Sequence, residues 1–511
     1  MRAFLLLKKI FVGRINPIKI FLWCEMNRRI VASLLGYLTL FCGAAMVPPF
    51  ILAATAKEFE GAAAFLLSIF LCLAVTFELE RFGGLQGKDN LGIREGIAIT
   101  GLGWLLISIL GLVPYFAGGY LNLLDSLVES ISGFSGTGAT VIEDVEILPR
   151  SILLWRSMSN WFGGLGIVLI FMAIMPQFGR GGMFILKAEA TGPTKDRQMP
   201  RIRDNAKALF SIYVTLTIIC AGSYFLCGLE PFVAINHAMT TIATGGYGVY
   251  NSTVGEYGNV YLEYCMAFFM IISSGSFAMY VVACKKGVGV IFRNTEFKIY
   301  LIIISVAASV IACDLFLEMG IDPERAIRAA IFHVASLSST TGFVAHDFDA
   351  YPPLSKVFLM MTMFLGGCAG STAGGLKVAR IILLFKFVGL IVRQKLHPNS
   401  VNQVTLSGRP IDEDIVYGAA KFFFAVVMLD VLFAAIMMFD GINFVNAISV
   451  SVSTMASVGP GFGLAGATST YSLLPSLSKF CACGFMFLSR LEIFTILALF
   501  SPNFWHNSKN W

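Results

Sequence analysis

The run Ser339-Thr340-Thr341-Gly342-Phe343 has three counterparts along the chain. They are Ser135-Gly136-Thr137-Gly138-Ala139-Thr140, Ile242-Ala243-Thr244-Gly245-Gly246-Tyr247-Gly248 and Ala456-Ser457-Val458-Gly459-Pro460-Gly461-Phe462-Gly463. Aligned on Gly138, Gly245, Gly342 and Gly459, the shared core is a small or β-branched residue, then Thr or Val, then Gly. The glycines recur at intervals of about a hundred residues, so one unit is used four times. Each run follows a short, half-apolar helical stretch inside 119–149, 229–259, 319–353 or 439–472.

Long apolar segments surround these runs. They fall at roughly 32–54, 62–78, 96–118, 151–175, 207–228, 260–284, 298–318, 354–376, 415–438 and 473–500, each near the ~20 residues that cross a bilayer. Of the 511 residues, 57% are apolar and only 13% charged, about half the charged share of a soluble domain. That composition excludes a soluble globule, a disordered chain and a disulfide scaffold. The net charge of +6 is too small and too scattered for a nucleic-acid partner. Its placement is informative instead. Ten crossings put both termini on one side, and 29 of the 37 lysines and arginines then fall on that side, with three opposite. This bias makes the terminal side cytoplasmic.

The half-apolar stretches are too short to cross and read as re-entrant half-helices. The Gly/Thr runs after them are irregular backbone at membrane depth, which is tolerated only along a water-filled path. Backbone carbonyls on such a path can replace the water shell of a cation. Gly permits the unusual dihedrals this needs, and a β-branched neighbour favours extended chain. The C-terminal, negative ends of the half-helices favour cations, and none of the four runs contains a basic residue. The predicted filter is therefore Gly136, Thr137, Gly138, Ala243, Thr244, Gly245, Thr340, Thr341, Gly342, Ser457, Val458 and Gly459.

The fold class that follows is an all-α polytopic membrane protein. Two leading transmembrane helices (26–80) precede four membrane–pore–membrane repeats around a pseudo-fourfold pore. The repeats occupy 95–176, 205–286, 297–396 and 412–502. Residues 1–25 read as an N-terminal extension or a mis-called start, because Met26 opens a second plausible beginning.

Further features sit around this frame. The segment Gly366-Gly367-Cys368-Ala369-Gly370-Ser371-Thr372-Ala373-Gly374-Gly375 interrupts a span, and so many glycines should not hold a regular helix. It reads either as a close-packing face or as a loop under the filter that gates it, with Gly366, Gly367, Gly370, Gly374, Gly375 and Lys377 as its elements. Arg490 and Glu492 lie inside the last span, where a charge faces a cavity or a partner. Arg490 is either one half of a pair with an acid or a barrier below the filter. Asp430 is expected to pair with a neighbouring helix, and Glu129 to hydrogen-bond the first loop. His237, His333, His346, His397 and His506 show no metal spacing. His237 and His333 occupy matching places on two half-helices, suited to packing or anchoring. No phosphate-binding loop, zinc-hydrolase helix or serine-nucleophile motif is present. The chain is not expected to be an enzyme or to hold an organic cofactor. Any nucleotide effect should come through a partner, with the basic loops 176–207 and 377–421 as its docking surface, although a plain positive-inside bias also explains their charge.

Several of these stretches together resemble the Trk/Ktr/HKT potassium-transporter superfamily, most closely its bacterial TrkH type. They are Arg94-Glu95-Gly96, Trp155-Arg156-Ser157, Trp161-Phe162-Gly163-Gly164-Leu165-Gly166, Gly370 to Lys377, Val458 to Gly463 and Ser489-Arg490-Leu491-Glu492-Ile493-Phe494-Thr495. The resemblance covers about residues 26–505. It implies K+ as the transported ion, a homodimer in the bacterial inner membrane and a cytoplasmic TrkA-type nucleotide-binding regulatory subunit. It also implies Arg490 near the pore. The chain departs from the family pattern at Gly136 (usually Thr), Ser457 (commonly Asn) and Ser276 (often Asn), which bears on K+/Na+ selectivity. The alternative reading is a sodium-coupled symporter of an organic solute, which would require inverted repeats and two interrupted spans.

Overall fold

The computed structural model describes residues 26–84, 92–166, 202–251, 254–397, 403–406, 409–491 and 493–505. The segment 1–25 and most of the basic loop 176–207 lie outside the described residues. The architecture is helical. Among the described residues its β structure is one short hairpin, Thr405–Leu406 against Arg409–Pro410.

The leading pair is Arg28–Ala45, extended by Val47–Thr55, and Phe59–Gly83. Small residues let the two pack closely: Gly36 lies against Leu79 and Glu80, and Thr39 and Thr76 share a 2.7 Å hydroxyl hydrogen bond. Phe59–Gly83 turns Leu66, Phe70, Leu73 and Phe77 outward. Such an apolar face is suited to lipid and not to water. Among the described residues, six helices are long and apolar enough to cross a bilayer. They make this a multi-pass membrane protein.

Each repeat opens with a long helix: Ile93–Gly111 with Val113–Ala117, then Ile202–Leu226, Thr295–Met319 and Glu413–Phe439. Four half-helices follow: Leu123–Ser135, Pro231–Ala243, Pro323–Ser338 and Phe444–Met455. Their starts are written locally. Asn122, Asp322 and Asn443 accept hydrogen bonds from first-turn amides, and Pro231 and Pro323 stand where a helix donor has no partner.

The closing spans differ from expectation. Segments 260–284 and 473–500 were predicted to be continuous. Instead Val260–Ser273 and Phe277–Lys286 meet at 92°, and Ser476–Arg490 and Ile493–Phe500 at 119°. The first break is Ser274-Gly275-Ser276, where the Phe277 amide leaves the helix ladder and donates to Gly370 O at 3.1 Å. The second follows an extended Leu491. The span 354–376 is helical only over Pro353–Leu365, and the chain re-enters helix at Val378–Leu396. In repeats 3 and 4 the closing span starts the same way. The Ser355 hydroxyl donates to Asp314 at 2.6 Å, and the Ser478 hydroxyl to Asp440 at 2.7 Å. In repeat 1 the closing helix is Arg150–Leu165, ending at Gly166, and the residues after it lie outside those described.

Candidate filter and gate

The four half-helices end in one backbone pattern. Gly136, Thr244, Thr340 and Ser457 are left-handed, at φ 73°, 56°, 58° and 57°. Each donates its amide to the residue three positions back: Gly133, Thr241, Leu337 or Thr454. The next amides, of Thr137, Gly245, Thr341 and Val458, reach the carbonyls of Ser132, Thr240, Ser336 and Ser453 at 3.1, 2.9, 2.9 and 2.9 Å. A second left-handed residue then follows in every loop: Gly138, Gly246, Gly342 and Gly459.

This pattern corrects the register of the second loop by one residue. Its equivalent triplet is Thr244-Gly245-Gly246. Ala243, assigned to the filter from sequence, is the last residue of the half-helix. Two adjacent glycines made the alignment degenerate, and only the backbone hydrogen bonds separate them. In the other three loops the triplets are Gly136-Thr137-Gly138, Thr340-Thr341-Gly342 and Ser457-Val458-Gly459.

The loops touch in a cycle. A methyl group on Gly138 would lie 2.1 Å from the carbonyl oxygen of Gly245. One on Gly246 would lie 1.8 Å from Thr341 O, one on Gly342 2.2 Å from Val458 O, and one on Gly459 2.6 Å from Thr137 O. Each third-position glycine thus rests on the second-position carbonyl of the following loop, and the fourth returns to the first. Only a residue without Cβ allows that approach. The arrangement is held with strain. Thr244, Thr340 and Ser457 are three of the five described non-glycine residues at positive φ; a fourth is Lys377. Such positions cost about 1–3 kcal/mol each and persist only where the surroundings impose them.

The interrupted segment 366–377 lies directly against these loops. The Gly374 amide donates to Thr340 Oγ1 at 2.7 Å, and the Thr372 hydroxyl to Ile242 O at 3.0 Å. A methyl on Gly374 would lie 2.2 Å from Ala456 O. Lys377 turns its ammonium back onto the Ala373 carbonyl, with the Ser371 hydroxyl at 3.4 Å. Sequence reasoning missed the anchor of this loop. Glu296 Oε1 accepts from the amides of both Ala369, at 2.6 Å, and Ala379, at 3.1 Å, tying the two ends of the break to one helix. Its position in the first turn of Thr295–Met319 gave no sign of that reach.

Gly374, Lys377 and Arg490 line one cavity together with Gly136 and Ser457. Arg490 therefore sits on the side of the four loops where the interrupted segment lies. Its guanidinium donates to the carbonyls of Gly163 and, at 2.8 Å, Gly164, and stands 5.4 Å from the Trp104 ring centre. Gly366, Gly367, Gly370 and Gly375 build the loop's own turns. Gly366 packs on Gly374 and Gly375, and Gly370 O takes the Phe277 amide. Glu492 is outside the described residues.

Other expected residues are placed as follows. Glu129 accepts the Val141 amide at 3.2 Å, and Asp430 the Ser451 hydroxyl at 3.1 Å. His237 packs edge-on to Phe343, 5.4 Å between ring centres. His333 lies within hydrogen-bond reach of the Tyr351 hydroxyl at 3.1 Å. In the corrected register Glu129, His237 and His333 stand eight residues before Thr137, Gly245 and Thr341, so they are equivalent.

A helical membrane chain whose four loops close on one another belongs to the class of pore-forming ion transporters. The family comparison agrees: residues 63–507 match the TrkH model, described as a cation transport protein. The chain belongs to that family. It is 34% identical over 484 residues to the Trk system potassium uptake protein TrkH of Halomonas elongata, covering 94% of this chain and all of that one. It is 33% identical over 488 residues to TrkH of Escherichia coli K12, with the same coverage. The crystal structure of the potassium transporter TrkH from Vibrio parahaemolyticus superposes with a TM-score of 0.84 at 29% identity, covering 94% of this chain and 100% of that one.

Proposed function

We propose that this chain takes up K+ across a bacterial inner membrane, ions passing the four-loop filter down their electrochemical gradient. The observation that carries the reading is the closed cycle of glycine-on-carbonyl contacts. It supports a ring of fixed backbone oxygens at Thr137, Gly245, Thr341 and Val458, which is what a dehydrated cation requires. Its relatives' names supply the ion. The segment 366–377 serves as the gate, stoppering the filter from the cytoplasmic side, with Lys377 and Arg490 as the positive groups an ion meets next. In this reading the working unit is a homodimer with cytoplasmic termini, and a TrkA-type nucleotide-binding subunit acts on the gate. The symporter alternative is disfavoured, since it needs inverted repeats and the contacts here run loop to loop in chain order.

The test is Rb+ or K+ uptake by purified protein in liposomes, with Na+ as competitor and Gly342→Ser alongside. Gradient-driven uptake that prefers K+, with the preference reduced in the variant, supports the filter. Absence of monovalent-cation flux, with and without a cytoplasmic regulatory partner, would sink it. Arg490→Ala is expected to raise uptake about tenfold, equal to removing about 1.4 kcal/mol from a barrier. Uptake at the wild-type rate with normal expression would count against a barrier at Arg490.

A further inference from the structure

One ion pair is completely buried behind the filter, and no transport step above uses it. The Arg156 Nε donates to Glu129 Oε1 at 2.8 Å, with the two side chains 2% and 0% exposed. The remaining nitrogens of the guanidinium reach past the carboxylate. Nη2 donates to Thr140 Oγ1 and Nη1 to Gly248 O, each at 3.2 Å. Thr140 and Gly248 are equivalent: each stands three residues after a ring residue, Thr137 or Gly245. One rigid, planar group thus spans the first and second filter loops at the same level. Tyr247 completes the clamp. Its hydroxyl donates to Glu129 O at 2.8 Å, and its ring faces the guanidinium at 4.2 Å.

We propose that Arg156, held by Glu129, is a positioning and selectivity-determining residue that fixes the spacing of the first two filter loops. The inference rests on the filter reading given above. A buried ion pair is a poor means of gaining stability, because desolvation offsets the attraction and an apolar pair would pack as well. What it supplies here is geometry. Arginine offers a fork of donors in fixed directions, and lysine a single point charge. The carboxylate is not repeated: the positions equivalent to Glu129 are His237, His333 and Val450, and the pair Arg328–Glu263 joins repeats 2 and 3 from different positions. The Arg156 fork itself acts on the seam between loops 1 and 2. With it loosened, the oxygens at that seam can draw in around a smaller ion, and discrimination against Na+ falls.

The experiment compares 86Rb+ and 22Na+ uptake into liposomes for the wild type, Arg156→Lys and Tyr247→Phe, with folding checked by size-exclusion profile. Arg156→Lys keeps the charge beside Glu129 but cannot span Thr140 and Gly248. It is expected to raise the Na+:Rb+ uptake ratio at least tenfold, and Tyr247→Phe by a smaller factor. A folded Arg156→Lys protein with the wild-type ratio, or with both ions slowed equally, overturns the proposal and leaves the pair structural. If Arg156→Lys does not fold, Tyr247→Phe decides: a raised ratio supports the clamp and an unchanged ratio overturns it. The wild-type arm tests the filter reading separately, since no K+ preference there would remove that reading whatever the variants do.

Discussion

Gly246→Ala is expected to cut K+ uptake roughly a hundredfold or more, equal to about 2.7 kcal/mol of added barrier. Two effects combine. An L-residue at φ 70° resists the left-handed turn, and its methyl would sit 1.8 Å from the backbone oxygen of Thr341. The obstacle is backbone, so it cannot rotate away, and the loop or its neighbour must move. Gly320→Ala is the control for dihedral strain alone, since Gly320 has φ 63° and open space around it. Its uptake should stay close to wild type. Gly245→Ala tests the register. The nearest atoms to its methyl would be those of the Asn160 side chain, from 2.5 Å, and a side chain can shift. The expected order of harm is therefore 246, then 245, then 320. A Gly245→Ala protein worse than Gly246→Ala would overturn the corrected alignment.

Deleting residues 368–373 is expected to raise ion flux more than tenfold while the protein still folds, measured as 86Rb+ uptake at equal protein. The break can close because its stems already touch. A methyl on Gly366 would be 2.3 Å from Gly374 O, the Leu376 amide donates to Phe364 O at 3.2 Å, and the Val378 amide to Gly367 O at 3.0 Å. All of these stem residues survive the deletion. What is lost is the cap of the loop, including Thr372, which hydrogen-bonds Ile242 O beside the second of the four loops. Flux at the wild-type level in a folded deletion would end the gate reading.

Much of this architecture is legible in the residues. The half-helices announce themselves by half-apolar stretches that end in Gly/Thr runs, and Gly366 to Gly375 by a composition no helix keeps. Those signals are local, and local chemistry imposes them. The bends at Ser274–Ser276 and after Leu491 were not read, because a break in an apolar span shows only when another element takes the freed amide. Gly370 does this for Phe277 from nearly a hundred residues away. The reach of Glu296 to Ala369 and Ala379 is hidden for the same reason. Arg156 was visible only as part of a motif. Its three partners lie on the first half-helix and on two loops that the fold brings together. The Gly245–Gly246 ambiguity is of another kind: sequence offers two equal choices, and hydrogen bonding selects one.

The circle of glycines resting on carbonyls has a consequence for how the aperture tolerates change. In a pore assembled from identical subunits, one altered codon strikes every quadrant at once. Here each quadrant is written separately, and the first left-handed position is already Gly, Thr, Thr and Ser in turn. A single lesion leaves three quadrants intact and makes the opening lopsided instead of wider. Damage to such a pore is therefore graded by quadrant, so lesions placed one, two or three at a time around the circle form a dose series that a homotetramer cannot offer.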